Sequence, residues 1–95
     1  MRGPKELETH PGDSIVVWAE KQVTIARSIM DDPGGGLLFA TQTIGQVKAG
    51  LRERDAARWD TVTAILERAE NSAVHREYAT ASGLLKDALA ALRSS

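Results

Sequence analysis

Apolar residues recur at alternating three- and four-residue steps in four successive blocks of this 95-residue chain, and that rhythm limits what it can become. Val16, Ala19, Val23, Ala26 and Met30 make the first stripe, widened on one side by Trp18, Ile25 and Ile29. Leu37, Ala40, Ile44, Val47 and Leu51 make the second, and Trp59, Val62, Leu66 and Ala69, with Ile65 beside them, the third. The fourth runs through Val74, Tyr78, Ala81, Leu85, Ala88 and Leu92, broadened by Leu84 and Leu89. Steps of three and four bring side chains to one side of an α-helix, whereas a half-buried strand needs alternation by two. The segment "LLFATQTI" is rich in strand-forming residues. A period of two there collects Leu38, Ala40, Gln42 and Ile44, a poorer apolar set than the helical stripe through the same residues.

The interior has little else to work with. Only Trp18, Phe39, Trp59 and Tyr78 are aromatic, so Ala, Leu, Ile and Val must fill the core, which suits closely packed helices. The expected fold is all-α, a small antiparallel bundle of three or four helices with short connections. Residues 13–95 form the single domain, behind a flexible arm of residues 1–12, with helices at about 13–32, 37–52, 55–70 and 72–93.

Local signals set those bounds. Asp13 or Ser14 can accept a hydrogen bond from an unpaired amide at the start of the first helix. Asp32 ends it, because a residue before proline is pushed away from helical angles. The second stripe is out of phase with the third across "RERD", which places a turn near Asp55. Asn71 or Ser72 of "ENS" then serves as the N-cap of the last helix.

The stretch "DDPGGGLLFATQTIG" looks at first like a phosphate cradle, but a P-loop needs a preceding strand and a lysine at the helix start. Here a helix precedes the glycines, Leu37 and Leu38 follow them, and Asp31 and Asp32 bring negative charge, so the segment reads as a helix–helix connection. The absence of cysteine excludes disulfides, iron–sulfur clusters, thiolate zinc sites and cysteine nucleophiles together. His10 and His75 are the only histidines, and neither belongs to a helical zinc or di-iron spacing, so no metal or cofactor is implied. Twelve basic and thirteen acidic residues are interspersed, and Arg52, Arg54 and Arg58 alternate with Glu53, Asp55 and Asp60, which disfavours a nucleic-acid track. No apolar leader opens "MRGPKELETHPGD" and no run approaches a membrane span, which points to a soluble cytoplasmic protein.

One spacing carries a specific chemistry. "RAENSAVH" places Arg68 seven positions before His75, across the expected break between two helices. It resembles the R-x(4–6)-H motif of HEPN-type proteins, helical-bundle domains that often act as dimeric ribonucleases. That resemblance implies metal-independent RNA cleavage, with the histidine handling protons and the arginine stabilising phosphate charge. Ala69 stands beside the arginine where active members commonly carry a polar residue.

The function the sequence favours is association, with a second copy or a protein partner and without a catalytic centre, because four wide apolar stripes crowd a short chain. Trp18 and Trp59 would mark the partner surface if either were exposed. The alternatives are a HEPN-like ribonuclease using Arg68 and His75, and an antitoxin-like regulatory partner of an enzyme. No membrane or small-molecule ligand is implied.

Overall fold

The computed structural model describes residues 11–94, with side chains from residue 14 onward. Residues 1–10, and with them His10 and most of the expected arm, lie outside the described part. Four helices account for the elements, with no strand among the described residues: α1 (Pro11–Asp31), α2 (Leu37–Asp55), α3 (Asp60–Val74) and α4 (Tyr78–Arg93). Each helix packs on two others, α1 on α2 and α4, and α3 on α2 and α4, so the stripes converge on one interior.

Cross-helix contacts fix the directions. The Lys48 ammonium donates to Glu70 at 2.6 Å and Arg52 lies 3.5 Å from Glu67, so α2 and α3 run antiparallel. Arg93 near the end of α4 reaches Glu20 in the middle of α1 at 3.6 Å, which closes the ring. Trp18 beside Gly50 and Ile29 beside Gly36 show the same reversal between α1 and α2. The bundle is antiparallel and all-α, as the periodicity requires.

The stripes become the core almost residue for residue. Ala19, Val23, Ala26 and Met30, then Ala40, Ile44, Val47 and Leu51, then Val62, Leu66 and Ala69, then Ala81, Leu85, Ala88 and Leu92 are all buried. Each fully covered leucine contributes roughly 1.5–3 kcal/mol relative to an exposed one. Two threonines join them: Thr43 donates its hydroxyl to the Phe39 carbonyl at 2.8 Å and Thr63 to the Asp60 carbonyl at 3.0 Å, which removes the cost of burying a hydroxyl. Ile25 and Val74 depart from expectation, since both are exposed.

The helix ends show where local signals mislead. α1 begins at Pro11, so Asp13 and Ser14 lie in its first turn and not ahead of it; proline is well suited to that turn because it lacks the amide left unpaired there. The connection after Asp31 uses its glycines for geometry. Gly34 has φ +47°, and a Cβ on Gly36 would lie 3.2 Å from Ile29 Cγ2. The Gly36 amide donates to the Pro33 carbonyl at 2.6 Å, so an amide an anion would need is already used. Asp55 is the last residue of α2 and not the first of the next helix: its carboxylate accepts the Arg58 amide at 3.1 Å within a four-residue turn, 56–59.

The largest correction concerns "ENS". Asn71 and Ser72 do not cap α4; α3 runs through them to Val74 because Ala73 extends the buried stripe. The helix then stops in a Schellman arrangement. Arg76 adopts φ 63°, its amide donates to Ala73 at 3.0 Å and the Glu77 amide to Ser72 at 2.8 Å. That position favours glycine, because a left-handed conformation costs a side-chain-bearing residue about 1–2 kcal/mol. Arg76→Gly therefore raises the stability by about 1 kcal/mol in urea unfolding, an unusual sign for an arginine-to-glycine change. An unchanged or lowered midpoint would contradict the cap.

Gly50 and Gly83 offer an internal comparison. A Cβ on Gly83 meets nothing within 4 Å, whereas one on Gly50 would lie 2.9 Å from two atoms of the Trp18 indole. Gly83→Ala is expected to gain about 0.8–1 kcal/mol from helix propensity alone. Gly50→Ala gains less and pushes the indole outward, which shifts its fluorescence to the red. Equal gains with unchanged emission would show that Trp18 does not rest on α2.

Candidate functional site

The structure separates the residues the sequence singled out into three places. Trp59 is fully buried at the end of the 56–59 turn, beneath the Arg58 guanidinium, which lies 4.4 Å from its ring centroid. It is a core residue and presents no surface to a partner. Its indole Nε1 has no hydrogen-bond partner, so a residue chosen for bulk has been buried at some polar cost.

Trp18 is half-buried and borders a groove of about 390 Å³ with Ile15, Gly50, Glu53 and Arg54. It lies on the flank of α1 that faces α2, on the row 18, 22, 25, 29 that follows helical spacing. Trp18, Gln22, Ile25 and Ile29 along this row are all uncharged. Ile25 is 42% exposed.

Across the groove, α2 carries a second stripe that the sequence reading missed. Its buried face is Ala40, Thr43, Ile44, Val47 and Leu51. On the outer side, the exposed residues between Leu37 and Leu51 are Leu38, Phe39, Gln42, Gln46 and Ala49. None is charged, in a chain where 26% of residues are. Phe39, Gln42, Gln46 and Ala49 follow three–four–three spacing, which puts them in one line along the helix. Leu38 at 69% and Phe39 at 55% exposure are far more open than an apolar side chain gains from being. Both lie on the outward side of α2, whereas Ala40 and Ile44 in the same two turns are fully buried. By the register of Lys48 with Glu70, the end of α3 at Val74 falls level with Ile44. Val74, 61% exposed, lies at that same end. The signal was present in the sequence, as a run of outward positions on α2 that lack charge. The expectation of a single buried face hid it.

The third place is a groove of about 220 Å³ between the end of α3 and the start of α4. Arg68 and His75 both line it, with Asn71, Ser72, Glu77 and Thr80. The structure thus brings the two motif residues to one surface, both exposed. His75 Nδ1 lies 2.8 Å from the Asn71 carbonyl oxygen. A carbonyl can only accept, so Nδ1 carries the proton and, in the neutral ring, Nε2 keeps its lone pair. Glu77 adds negative charge beside Arg68 and His75. No group of three or more potential metal ligands exists among the described residues, Asp31 and Asp32 included. No helix of the described residues is long and apolar enough to cross a membrane.

Comparison of the chain with protein-family models, with curated proteins and with solved structures gave no match.

Proposed function

We propose that the protein works by association with another polypeptide, through the face formed by α1 and α2. The observation that carries this reading is the uncharged outer stripe of α2, Leu38, Phe39, Gln42, Gln46 and Ala49, continued on α1 by Gln22 and Ile25. Depletion of charge, with aromatic and aliphatic side chains left open, is what distinguishes the centre of an interface from ordinary surface. Trp18 and Phe39 are the aromatic anchors such a face would use. An antitoxin-like regulatory role is one form of the same reading, with an enzyme as the occupant.

A photo-crosslinking amino acid placed at Gln42 tests it in cells that express the protein. Thr61, exposed on α3, is the matched control. Adducts are expected from Gln42 and not from Thr61; no adduct from Gln42 would overturn the reading.

A second reading has its own observation, the shared groove of Arg68 and His75. As a HEPN-like ribonuclease, His75 Nε2 would take the proton of an RNA 2′-hydroxyl as that oxygen attacks the adjacent phosphorus. The 5′-oxygen would leave and take a proton from water, while Arg68 neutralises phosphate charge. Purified protein and a His75→Ala variant incubated with labelled RNA in EDTA separate the cases. Cleavage by the parent that falls at least a hundredfold in the variant supports the nuclease. Equal cleavage, or none, removes it.

A further inference from the structure

We draw no further inference here: the strongest candidate, the uncharged outer stripe of α2 with its exposed Leu38 and Phe39, is an unpartnered helix face, and nothing in the structure shows what covers it.

Discussion

Everything in this bundle depends on how closely four helices can approach. Ala19, Ala26, Ala40, Ala69, Ala73, Ala81 and Ala88 are all fully buried, so methyl groups line a large share of the contacts between helices. Alanine brings backbones together and costs no side-chain entropy, but it removes little apolar surface from water. The larger buried side chains, chiefly Leu51, Leu66, Leu85, Leu92 and Trp59, supply most of the transfer energy. Val17, Ile25, Leu38, Phe39 and Val74 stay outside, at positions that helical phase turns away from the core.

That constraint falls hardest on α2. Its inner face meets α1 and α3 tightly, with Gly50 under the Trp18 ring and Lys48 held against Glu70. The ion pair fixes the register of α2 against α3. Leu38 and Phe39 are exposed because they lie on the outward side of α2, while Ala40 and Ile44 in the same turns are fully buried. Selection for solubility alone would place charge there, as it does from Arg52 to Asp55 at the other end of the same helix. The outer positions from Leu38 to Ala49 carry none.

The architecture was legible because packing follows period, and period is written into the sequence. Ala40, Ile44, Val47 and Leu51 could be assigned to the core from spacing alone, and so could the inner faces of the other helices. Helix ends were less legible, since they turn on single residues. Asn71 and Ser72 have the chemistry of caps, yet Ala73 holds the next place on the buried stripe, and burial outweighed capping. The stop itself falls on Arg76, where glycine would have signalled it. Trp18 and Trp59 each sit on or beside an apolar stripe, yet Trp59 is enclosed at the 56–59 turn while Trp18 lies along a groove. Arg68 and His75 could be paired from spacing, but their meeting in one groove depended on α3 continuing to Val74.

The two candidate surfaces make different physical demands. Catalysis of phosphoester cleavage draws its rate from donors fixed around a site shielded from water, where charge interactions strengthen. The groove at Arg68 and His75 is open, both residues are exposed, and Glu77 opposes the positive charge that a phosphate would seek. His75 is held there by its contact with the Asn71 carbonyl. An association surface needs less: shape, freedom from unpaired charge, and side chains already held by a rigid helix. α2 meets these terms without rearrangement, because its inner face is held in the core while its outer side is uncovered. That is the physical reason to look for the function of this chain on α2 before the groove.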